Sequence, residues 1–268
     1  MRLILSLTAV LWLASGPAPV QAGDRIADAR RLYNQELYEL AIRAASEARD
    51  AGYSVDEAAL IIARAHLERY RQTRDSANLA GARDALRALD PSGLKGTAHT
   101  EFTLALGEWL FLDERYGAAA ELFDAALGKV DGLGPEARDR ALDWWATAVD
   151  RQAQIDPANR AALYRRILER MEEELRQFPG STAAGYWLPA AARSLGDVDR
   201  AWHAVIAGYL RARIAPDRGA ALRADLDRLM TTAIIPERAR RAGPDANEQK
   251  AAADELTDEW EMLKRQWR

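Results

Sequence analysis

The sequence has no cysteine and only three histidines. The absence of cysteine excludes disulfide bonds, thiol catalysis and cysteine-based zinc or iron–sulfur sites. No two of His66, His99 and His203 are three or four residues apart, so the spacing of a metal-binding pair on one helix face is missing. Valine and threonine, which favour strands, are scarce. We therefore expect no cofactor, no metal site and no sheet-rich fold.

The sequence also has no excess of positive charge, since its formal net charge is −4. This balance disfavours nucleic-acid binding through a broad basic surface. There is no glycine-rich phosphate loop followed by Lys-Ser/Thr, and no serine lies in a Gly-x-Ser-x-Gly turn. The carboxylates of residues 172–174 lie between Arg170 and Arg176, which is typical of a solvated face of ion pairs. The sequence therefore predicts a protein that is not an enzyme.

A long apolar run occurs only at the N-terminus. Arg2 precedes the apolar segment from Leu3 to Ala14, and Val20-Gln21-Ala22 has the small or apolar residues that signal peptidase accepts. We expect residues 1–22 to be a cleaved export signal. The alternative is a retained anchor, but the run of about 12 apolar residues is shorter than the ~20 that span a bilayer. Cleavage would make the protein periplasmic or secreted, with no membrane span.

Alanine makes up about a fifth of the chain, and the apolar residues recur at steps of three and four. This period predicts amphipathic helices. A small residue, a tyrosine and two alanines recur with the same spacing in two segments. The first set is Ala29, Tyr38, Ala41 and Ala48, and the second is Gly107, Tyr116, Ala119 and Ala126. Such self-similarity indicates a repeat, because small residues let paired helices approach closely.

The second set, extended by Leu106 and Phe123, resembles the tetratricopeptide repeat, with Thr103 where tryptophan is common. The unit from Gly185 to Gly208 matches in part, with Pro189 in its first helix, and an insertion lies at residues 72–78. The resemblance implies an all-α, right-handed α-solenoid of antiparallel helix pairs over residues 23–213. Residues 214–268 would follow as a C-terminal helical capping segment.

The resemblance also implies that the first helix of each pair lines a concave surface and binds a protein or peptide partner. The groove residues expected on this basis are Arg30, Tyr33, Asn34, Glu101, Leu104, Glu108, Phe111, Tyr186, Ala190 and Arg193. An open charged groove would favour such a partner.

The alternative is a small-molecule or glycan-binding module with an aromatic-lined concavity. The tryptophans that suggest it are Trp109, Trp144, Trp145, Trp187 and Trp202. Adjacent helical residues point about 100° apart, so Trp144 and Trp145 cannot enter the same interface. One of the two is expected in the core, and the other on a groove or an outer face.

The last helical segment carries an apolar stripe at steps of four, three and four. The stripe consists of Leu256, Trp260, Leu263 and Trp267. We expect it to pack against the stripe of Leu222, Leu226, Leu229 and Met230, reached by the Gly243-Pro244 link. Membrane-surface binding is the alternative, although the acidic opposite face would be repelled by anionic headgroups.

Overall fold

The structure is a computed structural model that describes residues 22–215 and 219–267. Residues 1–21, which hold nearly all of the predicted export signal, lie outside the described residues. The described chain is helical and contains no strand, which confirms the expected all-α class. The helices are α1 Ala22–Asn34, α2 Tyr38–Asp50, α3 Val55–Thr73, α4 Ser76–Ala88, α5 Ala98–Leu112, α6 Tyr116–Leu127, α7 Pro135–Ile155, α8 Arg160–Gln177, α9 Thr182–Ser194, α10 Val198–Arg211, α11 Ala220–Leu229, α12 Ile235–Ala239 and α13 Ala246–Gln266.

The helices pack as adjacent pairs, and those with odd numbers form a continuous layer. Each of the helices α1 to α9 packs against the helix that follows it in the chain. In addition, α1, α3, α5, α7, α9 and α11 contact one another in succession, whereas successive even-numbered helices from α2 to α10 make fewer such contacts. Side chains on the odd-numbered helices are therefore brought close together over most of the chain.

The turns that join α1 to α2 and α5 to α6 have the same backbone conformation. Glu36 and Glu114 occupy equivalent positions in these turns, and both have a φ of 61°. The α9–α10 turn places Gly196 at the corresponding position, with a φ of 81°. A residue in the left-handed region ends a helix sharply and lets the next one fold back. The repeat seen in the sequence is thus a repeat of local structure as well.

The aromatic residues beside these turns are also equivalent. The rings of Tyr33 and Tyr38 meet edge to face at 5.6 Å, and those of Phe111 and Tyr116 do so at 5.3 Å. The small residues of the repeat are buried where the paired helices cross. At the α5–α6 crossing, a Cβ added to Gly107 would lie 2.8 Å from a ring carbon of Phe123. Glycine at this position is therefore required by packing.

Replacing Gly107 with alanine is expected to lower the free energy of unfolding by about 1–3 kcal/mol, because the buried Phe123 ring has little room to move. Gly128→Ala is the matched control, since Gly128 ends α6 in right-handed geometry and its added Cβ would meet nothing closer than 3.9 Å. Urea unfolding of both variants tests this. Equal stabilities would show that the crossing tolerates a methyl group.

The C-terminal helix α13 is anchored by Trp260, which is fully buried. The Trp260 ring meets that of Tyr209 at 5.0 Å, and its Nε1 donates a 2.7 Å hydrogen bond to Asp227 on α11. Lys264 pairs with the same carboxylate at 2.7 Å. Trp267, which we expected in the same packed stripe, is 44% exposed, because α13 ends at Gln266 and the following backbone leaves helical geometry.

Candidate functional site

The odd-numbered helices of the N-terminal half carry a network of ion pairs. Glu101 on α5 pairs with Arg64 on α3 at 2.6 Å and with Arg30 on α1 at 3.7 Å. Arg30 also lies 3.8 Å from Glu57. The structure thus brings Arg30 and Glu101, two of the predicted groove residues, onto one surface. Glu101, whose side chain is 13% exposed, is closely paired with Arg64, whereas Arg30 is more exposed and its contacts are longer.

Glu108 lies one step further along this layer and is only 6% exposed. Burial raises the pKa of its carboxyl to about 7, although Arg71 opposes the shift. Arg71 lies 2.9 Å from Glu108, and its guanidinium also stacks 5.0 Å above the ring of Trp144 on α7. Glu108 therefore connects α3, α5 and α7 within the protein and has little surface to offer a partner.

Tyr33 belongs to the same network. Burial raises the pKa of its hydroxyl to about 12, against the opposing effect of Arg64, whose guanidinium lies 4.7 Å from the ring centre. Asn34 is exposed at the end of α1. Leu104 and Phe111 are partly buried and pack against the core formed by the later helices. Most of the predicted groove residues of the first and third units therefore contact other parts of the protein.

Two predicted groove residues of the late unit lie in different surroundings. Arg193 forms a hydrogen bond of 2.9 Å to Glu237 on α12, and so links α9 to the C-terminal segment. Tyr186, also on α9, lines an open cleft of about 980 Å³. Tyr186 is the predicted groove residue that the structure places in this cleft.

The cleft lies on the odd-numbered layer, between α7, α9 and α11. Gly134 and the first part of α7 form one wall, and the first part of α11, including Ala221, forms the other. The α8–α9 loop, residues 178–181, and Ile214 complete the lining. A cavity of this size falls in the range that binding sites occupy.

The floor of the cleft is held by two sets of polar contacts. Arg138 donates two hydrogen bonds of 2.8 Å to the buried carboxylate of Glu174, and its guanidinium lies 4.5 Å from the centre of the Phe178 ring. Asp139 accepts from the backbone N–H groups of Thr182 and Ala183 at 3.1 and 3.2 Å. These contacts hold the α8–α9 loop and the start of α9 against α7.

Two large apolar residues, Phe178 and Ile214, form an apolar part of the rim of the cleft. Phe178 is 41% exposed and Ile214 is 64% exposed, although both are large hydrophobic residues. Exposed apolar side chains grouped at a concave site are typical of an interaction surface. This rim could not be predicted from the repeat pattern, because Phe178 and Ile214 lie outside that pattern. The available signal was an aromatic residue in a loop that is followed by Pro179 and Gly180.

The five tryptophans of the alternative site do not share one concavity. Trp145 and Trp202 are buried, whereas Trp144 is half-buried and reaches Arg71, which confirms the opposed positions expected for Trp144 and Trp145. Trp109 donates to the backbone oxygen of Leu79 at 3.2 Å. None of the five lines the cleft within the part of the chain that the structure describes.

Within residues 22–215 and 219–267, no three carboxylate or imidazole side chains are grouped so that they could hold a metal ion. The helices of this part of the chain include none with both the length and the apolar character needed to cross a membrane. No family model matches the chain, and no curated protein or solved structure matches it either.

Proposed function

We propose that this protein is a non-enzymatic scaffold of the tetratricopeptide type, which binds a segment of a partner protein in the cleft between α7, α9 and α11. The proposed architecture is a right-handed stack of antiparallel helix pairs whose odd-numbered helices line the inner face. Its support is the continuous odd-numbered layer and the shared geometry of the α1–α2, α5–α6 and α9–α10 turns. The N-terminal sequence adds the proposal that the protein acts in the periplasm or outside the cell.

The observation that carries this proposal is the exposed apolar rim of Phe178 and Ile214 around a cleft of about 980 Å³. In the N-terminal half of the same layer, charged side chains of neighbouring helices pair with one another. The cleft extends across three helices, which suits an extended peptide segment. A glycan-binding module has less support, since the tryptophans that suggested it are dispersed.

Selection from a random peptide library displayed on phage tests the proposal. Ala221 is exposed on α11 and lines the cleft, so Ala221→Trp would fill the site without disturbing the core. Ala224 is exposed on the same helix outside the cleft lining, which makes Ala224→Trp the matched control. We expect the selected peptides to bind the wild-type protein and Ala224→Trp, and to bind Ala221→Trp at least about tenfold more weakly.

Two results would count against the proposal. One is a selection that enriches no peptide at all, and the other is a set of peptides that bind both tryptophan variants equally well. Circular dichroism and thermal unfolding of the two variants should match the wild type, so that a loss of binding reports on the cleft and not on the fold.

A further inference from the structure

The charges that line the cleft fall into two groups. In the first group, Arg138 and Glu174 neutralise each other through two hydrogen bonds, and Asp139 is occupied by the backbone N–H groups at the start of α9. A helix N-terminus carries partial positive charge, which offsets the charge of such a carboxylate. These three side chains build the floor and leave little charge for a ligand.

The second group is mainly acidic. It consists of Glu136, Asp143 and Asp225, against the single guanidinium of Arg140. Glu136 is exposed and takes part in no ion pair among the described residues. Asp143 accepts one hydrogen bond of 2.8 Å, from Nε1 of Trp187. This group leaves net negative charge around the cleft.

Asp143 on α7, Tyr186 on α9 and Asp225 on α11 all line the same cleft. Burial raises the pKa of the Tyr186 hydroxyl, and the carboxylates of Asp225, Asp150 and Asp143 raise it further. Asp225 has a partner in Arg228, but at 3.5 Å and between two solvent-exposed side chains. Such pairs contribute little and exchange readily. A positive group near Tyr186 would therefore meet carboxylates from both walls.

We infer that the segment bound in the cleft is cationic, with a lysine or arginine side chain that reaches the carboxylates near Tyr186 and an apolar side chain next to it that packs on Phe178 and Ile214. This inference rests on the proposed function and adds the chemistry of the partner. Charge complementarity selects the positive side chain. The apolar rim, at the same opening, explains why a peptide fits better than a small polyamine, which has no bulky apolar group.

Fluorescence anisotropy with short labelled peptides tests this chemistry. The first peptide has lysines and leucines spaced by glycine and serine, and two counterparts carry glutamate or glutamine in place of the lysines. The cleft variant is Glu136→Gln/Asp225→Asn. The control variant, Asp254→Asn/Asp258→Asn, removes the same charge from exposed positions on α13. Unchanged thermal unfolding of both variants establishes that they are folded.

We expect the lysine peptide to bind the wild type and the control variant equally, and the cleft variant about tenfold more weakly. The glutamate peptide should not bind, and added salt should weaken the binding of the lysine peptide. Equal binding of the lysine peptide to the wild type and to the cleft variant would overturn the inference. So would displacement of the labelled peptide by spermidine at the same concentration as by the unlabelled peptide.

The two proposals can fail separately. If library peptides require an open cleft but are acidic or uncharged, the proposed function stands and the cationic partner is wrong. If neither the library nor the lysine peptide yields binding that Ala221→Trp removes, the cleft is not a peptide site and both proposals fail.

Discussion

Replacing Trp260 with alanine is expected to lower the free energy of unfolding by about 3–5 kcal/mol, the cost typical of truncating a fully buried tryptophan. The substitution removes the ring contact with Tyr209 and takes the Nε1 donor from Asp227. Because α13 packs on α12, and Trp260 is its only fully buried residue within the described part of the helix, the loss should loosen the whole helix.

Thermal unfolding with simultaneous measurement of dye binding tests this expectation. We expect a fall in the melting temperature of about 10 °C and increased binding of a hydrophobic dye. Trp267→Ala is the matched control, since the same side chain is removed from an exposed position on the same segment, and its effect should be within about 0.5 kcal/mol. Similar losses in the two variants would show that α13 is not anchored by Trp260.

Replacing Glu108 with glutamine should stabilise the protein at neutral and alkaline pH. Six charged or titratable side chains surround this carboxyl, namely Arg64, Glu68, Arg71, Arg140, Tyr33 and Tyr38. Burial is the largest influence and disfavours the ionised form, so the pKa rises from 4.5 to about 7. Glutamine has nearly the shape of the protonated acid and carries no charge, so it avoids this penalty.

The pH dependence follows from the direction of the pKa shift. Below about pH 4.5 the carboxyl is protonated in both the folded and the unfolded chain, and it imposes no electrostatic cost. Between about pH 4.5 and 7 the unfolded chain ionises first, so the wild type loses stability as the pH rises. Above pH 7 the penalty is complete, at about 3 kcal/mol for a shift of this size.

Urea unfolding of the wild type and of Glu108→Gln across this pH range measures the effect. The variant should be more stable than the wild type by about 2–3 kcal/mol near pH 8, and the difference should vanish near pH 4. Glu101→Gln is the control in the same network. It should be destabilising at neutral pH, because Arg64 and Arg30 would lose their anionic partner. If Glu108→Gln is less stable than the wild type at pH 8, the ionised Glu108 carboxylate does not destabilise the folded protein, and the prediction is wrong.

Local patterns in the sequence were sufficient to predict the helices, the equivalence of the first and third units and the burial of the small residues. These features depend on short-range geometry, since a period near 3.6 and a tight turn are properties of neighbouring residues. The same patterns predicted which stripe of α13 is apolar and the opposed positions of Trp144 and Trp145.

The tertiary structure alone decided which polar residues remain available to a partner. Glu101 and Glu108 are residue types that an open groove could carry, but each is paired with an arginine distant in sequence, Arg64 and Arg71 respectively. The cleft depends on the relative placement of α7, α9 and α11, which no local period encodes. The sequence of a helix determines which side chains lie on each of its faces, whereas packing between helices determines whether those side chains already contact another part of the chain.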